Sequence, residues 1–380
     1  MDALSNAIVL LNQWGRVFCD FAGRMLIQSS ILVGLLLLAD LCLRARVSAR
    51  FRYGIWLLVL VKLVLPPSLA LPTGVNYWLS RYLPVASPAP AASLLSPLTP
   101  AVSLTRPAYV NARPGVVAVP AATEEIAAAG GEIVPLQWPG LALLGWVTGI
   151  LLLLALVSQR IASARRSLRR SHPAGQQMVG LLEECCAYMG VTARVTLRLT
   201  TDLHSPAVCG FLRPVILLPA SVPPRLWPEG LRTILIHELA HIKRRDPWVS
   251  LAQTALQIAY FWHPLVWVAN TKLRDLREFA VDETVVATCR SGAHCYTETL
   301  IDIAQMAFRK PAFSLRLIGI AESKRALDRR IKHMLNRRIL RGATLGPAGL
   351  LVILAAGAML IPMGRGSVTA LAQQPAAQSV

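Results

Sequence analysis

Residues 231–245 read LRTILIHELAHIKRR, and Asp246-Pro247 follows. Leu231, Ile234, Leu235, Leu239 and Ile242 keep the three-and-four spacing of one helical face, and the Asp-Pro pair stops the run. His237 and His241 are four apart, so their imidazoles leave the same side of that helix and can reach one Zn²⁺. Glu238 lies beside them, placed to take a proton from water held at the metal. The motif alone is equally that of two helical histidines with no metal. A catalytic zinc site needs a third protein ligand and leaves the fourth position to water. His263, Glu278, Asp282 and Glu283 are the downstream candidates. Glu278 and Asp282 repeat the spacing of four on a predicted helix, TKLRDLREFAVDETVVATC (271–289). One carboxylate would sit on the metal, and the other would orient a ligating histidine through its second ring N–H. His263 precedes Pro264 among aromatic residues and reads as a satisfied core or membrane-interface histidine, with an oxyanion contact as the alternative.

Upstream, VTLRLT (195–200) and PVILLP (214–219) read as strands around a glycine-containing turn, SPAVCGFLR. An extended edge beside a zinc site is what a peptidase needs to hold a substrate as an added strand. Downstream, Trp248 to Ala269 is long and uncharged. A crossing there would put the histidines and Glu278 on opposite sides of a bilayer, and both flanks are basic (Lys243, Arg244, Arg245; Lys272, Arg274, Arg277). The stretch is therefore expected to be a hairpin dipping into the bilayer near Trp262–Pro264, or helices packed at its surface.

Around this segment the chain is oily. Its 380 residues are 54% hydrophobic and only 16% charged, yet the net charge is +19. That excludes a disordered basic tail, which would be poor in apolar residues, and seven cysteines are too few for a disulfide scaffold. Four stretches approach the roughly 20 apolar residues a membrane helix needs: Met25–Leu43, Tyr53–Leu71, Trp138–Val157 and Leu345–Met363. Leu4–Phe21 carries Asn6, Asn12, Gln13, Arg16 and Asp20 and reads as an interfacial helix. Asp40 is read as lying near the cytoplasmic end of its span and Lys62 as snorkelling, in preference to a buried pair or relay.

Of the 39 Lys+Arg, 28 fall between residues 159 and 343, with 14 of the 20 Asp+Glu, so +14 of the +19 belongs to that segment. Arg44, Arg46, Arg50 and Arg52 fill the loop between the first two spans. The positive-inside rule places both in the cytoplasm. Cys185, Cys186, Cys209, Cys289 and Cys295 lack metal-type spacing and read as free thiols in a reducing compartment. The basic clusters at Arg165, Arg166, Arg169 and Arg170, and at Arg325, Arg329, Arg330, Lys332, Arg337 and Arg338, flank spans three and four, where anionic lipid is the expected partner and nucleic acid is not. The expected organisation is an N-terminal helix and two spans (1–71), an extracytoplasmic Pro/Ala-rich loop (72–137), a third span (138–157), a cytoplasmic domain (158–344), a fourth span (345–363) and a short outer tail (364–380).

HELAHIKRRDPW, FWHPLVW and LRxxREFAVDE in this order, preceded by CGFLRPVILLP, resemble the membrane zinc-peptidase family of the β-lactam-sensing antirepressors (BlaR and MecR type). The resemblance runs from about Leu26 to the fourth span. It implies a cytoplasmic α+β domain of gluzincin type between spans three and four, in the plasma (cell inner) membrane. It implies Zn²⁺ held by His237, His241 and Glu278, with Glu238 as catalytic base and Asp282 as the carboxylate behind a ligand. It also implies a metalloendopeptidase that cleaves itself or a cytoplasmic protein, in that family a winged-helix repressor. Val281 stands where the family often has Cys, a non-ligand position. The sensors' penicillin-binding domain follows the fourth span, whereas Gly364–Val380 has no Ser-x-x-Lys motif, so β-lactam sensing is not expected of this chain. Two rival readings are a housekeeping membrane protease of prenyl-protein or quality-control type, and a catalytically silent receptor scaffold. An intact His/Glu/His set argues against the second.

Overall fold

The computed structural model describes residues 2–44, 46–69, 135–203, 205–222, 226, 228–288, 296–299, 301–302, 324–335 and 346–362. The Pro/Ala-rich stretch up to residue 134, Cys289, Cys295, Arg337, Arg338 and residues 363–380 lie outside the described residues. Two helices are long and apolar enough to cross a membrane. These are α1 (Asp2–Leu43), about 63 Å long, and α3 (Trp138–Arg170), about 50 Å. Between them α2 spans Ala49–Val64.

The N-terminal segment differs from the expected interfacial helix, because α1 runs unbroken through Leu4–Phe21 and packs along α3. Two of the polar residues that argued for an interface, Asn12 and Arg16, have partners just before α3. Asn12 is buried, donates to the Pro135 carbonyl at 3.1 Å and accepts from the Gln137 N–H at 2.9 Å, satisfying the start of that helix. One turn on, a Cβ at Gly15 would lie 2.3 Å from the Pro139 carbonyl oxygen. Small residues let helix backbones approach this closely where hydrophobic driving force is weak. Gly15→Ala is expected to push the two helices apart and cost about 1–3 kcal/mol, read as a lowered thermal midpoint of the detergent-solubilised chain. An unchanged midpoint would mean the contact carries no stability.

The last apolar helix, α9 (Pro347–Leu360), is shorter than the span expected over Leu345–Met363. It runs beside α2 as a parallel seam. Gly54 faces Ile353, Leu58 faces Gly357, and the Lys62 ammonium donates to the Ile361 carbonyl at 3.0 Å. Lys62 is therefore wholly buried instead of snorkelling, and its charge caps a helix end whose carbonyls lack helical partners. Asp40 is not paired with it. Its carboxylate accepts from Arg52 Nε at 2.7 Å and from Lys272 Nζ at 3.4 Å.

After α3 the chain forms β1 (His172–Pro173), α4 (Gln176–Met189), β2 (Thr196–Thr200), β3 (Ala207–Cys209) and β4 (Val215–Pro219). Gly190, left-handed at φ 64°, terminates α4. The sheet order is β1-β2-β4-β3, with β2 parallel to β4 and β3 antiparallel to it. The two strands read from sequence are thus parallel neighbours. The segment between them, expected to be a turn, itself carries the edge strand β3, and short strands of this kind have too few residues to show a period. Gly210 makes the return possible: its φ is +90°, and a Cβ there would lie 2.5 Å from the Arg213 carbonyl oxygen.

Helix α5 (Glu229–Lys243) covers the sheet and leads into a helical hairpin of α6 (Asp246–Ala259) and α7 (Pro264–Thr288). The hairpin tip packs among the apolar helices. Phe261 sits on Gly149 of α3, Trp146 donates to the Ala259 carbonyl at 2.9 Å, and Tyr260 donates to the Leu63 carbonyl at 2.9 Å. Two hydrophobic cores result. One joins the sheet, α4 and α5, with Leu197, Ile216, Leu235 and Leu239 at its centre. The other joins α1, α2 and the hairpin, around Leu32, Trp56, Leu273 and Leu276. Helix α7 belongs to both, since Val281 and Val285 enter the first core. The carboxylates of interest, Glu278 and Asp282, lie where α7 passes from one to the other.

Candidate metal centre

His237 and His241 project from one face of α5 toward Glu278 on α7. Their Nε2 atoms are 3.3 Å apart, and Glu278 Oε2 is 3.7 Å from the first and 3.8 Å from the second. Ligand atoms around tetrahedral zinc, at bonds of about 2.0–2.2 Å, are roughly 3.3–3.6 Å apart. A point about 2.1 Å from all three atoms therefore exists between them.

The hydrogen bonds behind the imidazoles fix which nitrogens face that point. Asp246 Oδ2 is 2.8 Å from His241 Nδ1, so Nδ1 carries the proton and Nε2 presents its lone pair. The chain can make this contact because Arg245 adopts a left-handed conformation (φ 59°) and turns α6 sharply back on α5. On His237, Nδ1 lies 2.9 Å from the Tyr296 hydroxyl, which donates to Asp282 Oδ1 at 2.6 Å and so accepts from the imidazole. Two lone pairs and a carboxylate oxygen thus converge with no proton between them, an arrangement that a cation satisfies. The charges agree. Burial works against ionising Glu278, but His241, His237 and Arg330 outweigh it and hold the carboxyl well below its usual range. Burial likewise opposes charge on His241, and Glu278, Asp246 and Glu238 together outweigh it and raise its pKa.

Of the third-ligand candidates, Glu278 alone joins the histidines in this cluster. Asp282 is wholly buried behind His237, 3.7 Å from its Nδ1 and bridged to it by Tyr296. Glu283 faces away and accepts from the Ala49 N–H at 3.0 Å, at the start of α2. His263 is buried at the hairpin tip, accepting the Leu265 N–H at 3.2 Å and standing 2.6 Å from Ser29 Oγ, which makes it a satisfied core histidine. Glu238, 8% exposed, follows His237 on α5 toward β3, close enough to Cys209 that, after burial, its charge raises the thiol's pKa.

Three partners in this cluster are absent from the sequence reading: Asp246, Tyr296 and Arg330. Arg330 lies on α8 (Lys324–Leu335) within a basic cluster that sequence assigned to lipid headgroups. Instead it is 5% exposed and forks onto Asp282, with Nε at 2.9 Å from Oδ2 and Nη2 at 2.7 Å from Oδ1. It also reaches Tyr296 at 3.1 Å and stands 3.7 Å from Glu278. Its neighbours Arg329 and Lys332 pair with Asp275 and Asp328. Burial and Asp282 raise the Tyr296 pKa well above its ordinary value, so the hydroxyl keeps its proton.

The family model described as BlaR1 peptidase M56 matches residues 20–334. The Regulatory protein BlaR1 of Bacillus licheniformis is 26% identical over 233 residues, covering 60% of this chain and 38% of that protein. The Methicillin resistance mecR1 proteins of Staphylococcus aureus (strain Mu50 / ATCC 700699) and Staphylococcus epidermidis are each 21% identical over 108 residues, covering 28% of this chain and 18% of theirs. The chain thus spans less than two fifths of the length of these curated relatives. The family match takes in the long apolar helices, α5 and the α6–α7 hairpin together, and on that ground the chain belongs to the M56 family of peptidases.

Proposed function

We propose that the chain is an integral-membrane zinc metalloendopeptidase acting in transmembrane signalling, with His237, His241 and Glu278 as ligands and Glu238 as general base. The observation that carries this is the convergence of two oriented imidazole lone pairs and one carboxylate on a single point. Zinc held there would supply Lewis acidity, polarising a scissile carbonyl and lowering the pKa of water. Glu238 takes the proton from attacking water and passes it to the leaving amine. Asp246 and the Asp282–Tyr296 pair hold the two imidazoles in the tautomer that binds metal. β3 supports the substrate: it is an edge strand packed against α5, and its outer side would accept an extended peptide by backbone pairing.

The helix directions support a four-span topology, and the basic 44–52 and 159–343 segments support the 158–344 domain in the cytoplasm, with 72–137 and 364–380 outside and the plasma (inner) membrane as location. α1 and α3 run parallel, as two helices entering from outside would, and α2 and α9 run parallel, as two leaving would. The relatives, a regulatory protein and a methicillin resistance protein, favour a cytoplasmic regulatory protein as substrate, a winged-helix repressor or the chain itself. Chelation is the test. Stripping the purified chain of metal is expected to abolish proteolysis of a co-expressed substrate found by N-terminal proteomics, and one equivalent of Zn²⁺ is expected to restore it. Proteolysis that survives chelation would overturn the metallopeptidase reading.

A further inference from the structure

The exposed positions of α6 are Trp248, Leu251, Ala252 and Ala255. They recur at intervals of three and four, while Gln253 and Leu256 face inward. A helix bordering water shows the reverse pattern, with its polar stripe outward. This apolar stripe descends from Arg244-Arg245 toward a tip packed against the middle of α3. Trp248 therefore sits one turn below the basic start of the helix, at the level where tryptophan anchors a membrane interface. Phe211 of the β3–β4 turn lies against it, ring centroids 5.2 Å apart. Phe211 is 49% exposed and Leu212 86% exposed, and they extend the stripe outward from α6. Arg213, next to Leu212 in the turn, and Arg245, at the start of α6, are exposed. Apolar tips ringed by cations are complementary to anionic lipid, with the side chains in the acyl boundary and the charges among the phosphates.

We propose that the β3–β4 turn is a membrane wedge, with Phe211 and Leu212 seated in an anionic bilayer beside Trp248. The turn is held in shape by Gly210, whose conformation a side chain would not tolerate. Cys209, the last residue of β3, is only two positions from Phe211, so the wedge fixes the edge strand at the lipid surface. Resting on the peptidase reading above, this names the substrate class: a polypeptide segment lying along the cytoplasmic face of the membrane, paired to β3 there. A segment held far from the bilayer would not reach that edge.

The test uses the full chain in nanodiscs of mixed phosphatidylcholine and phosphatidylglycerol, with an environment-sensitive fluorescent amino acid in place of Leu212. A second chain carries the same probe in place of Leu151, which is 62% exposed midway along α3. The position-212 probe is expected to be quenched by lipid bearing a nitroxide high on the acyl chain and to be several-fold less accessible to aqueous iodide than in detergent-free urea. The position-151 probe is expected to be quenched by a nitroxide placed deep. Iodide quenching at 212 with lipid quenching at 151 would overturn the wedge while leaving the spans standing. Protection from iodide at 212 without quenching by the nitroxide lipid would mean that protein covers the turn, and would also overturn it. Iodide quenching at both positions would overturn the membrane topology itself. None of these readouts depends on peptidase activity, so a failed wedge and a failed peptidase assignment are told apart.

Discussion

Glu238→Gln is expected to leave zinc in place and to slow cleavage of every substrate by about 10²–10⁴-fold, the range a positioned general base contributes. Glutamine keeps the shape of the side chain and its place on α5 but cannot accept the proton. The ligand cluster has its own supports, since Asp246 holds His241, Tyr296 holds His237 and Arg330 stands 3.7 Å from Glu278. Peptide turnover and zinc stoichiometry should be measured on the same sample. Unaltered turnover would move the base to another residue. Lost zinc would make Glu238 a ligand, contrary to the geometry. The contrasting substitution is Glu278→Ala, which removes one of the three converging atoms and is expected to empty the site. The pair of variants separates proton transfer from metal binding, and a catalytically silent scaffold predicts a loss from neither.

What could be read from sequence follows the range of the interaction concerned. His237, Glu238 and His241 share one helical turn, so spacing alone places them together. Glu278 and Asp282 are likewise local to α7, where Glu278 reaches the two histidines and Asp282 lies behind His237. The helical hairpin was legible because its two basic flanks and uncharged middle admit few topologies. Tyr296 and Arg330 were not legible. Tyr296 is 59 residues from His237, and Arg330 is 48 from Asp282. Nothing local marks one arginine in KRALDRRIKHML as the buried one, since Arg329 next to it pairs with a different carboxylate at the surface. Asp246 was read as a helix stop, and it is one. Its second role depends on the positive φ of Arg245, which no spacing rule anticipates for a non-glycine residue. The same limit explains Lys62, where the sequence shows a costly charge in an apolar helix and only the packing of α9 shows the carbonyl that accepts it.

Arg330→Met is expected to be the most damaging substitution outside the ligand set, for a reason that can be isolated. Asp282 is wholly buried, and the arginine fork supplies a cation to it that the neutral Tyr296 hydroxyl does not. Removing one partner of a buried pair leaves an uncompensated charge and costs about 3–5 kcal/mol. It also frees Glu278 from a guanidinium 3.7 Å away and loosens the hydroxyl that orients His237, so zinc affinity should fall by about 10–100-fold, the usual effect of losing an outer partner of a metal ligand. Asp282→Asn with Arg330→Met should recover part of the stability, because the buried charge is gone with its partner, yet zinc affinity should stay low, because the imidazole is still poorly oriented. Arg330→Lys keeps the charge without the fork and should fall between the two. Thermal midpoints and zinc competition against a chelator give both quantities for each variant. If stability and zinc affinity recover together in the double variant, Arg330 serves only to neutralise Asp282. If affinity alone stays depressed, α8 is part of the metal centre.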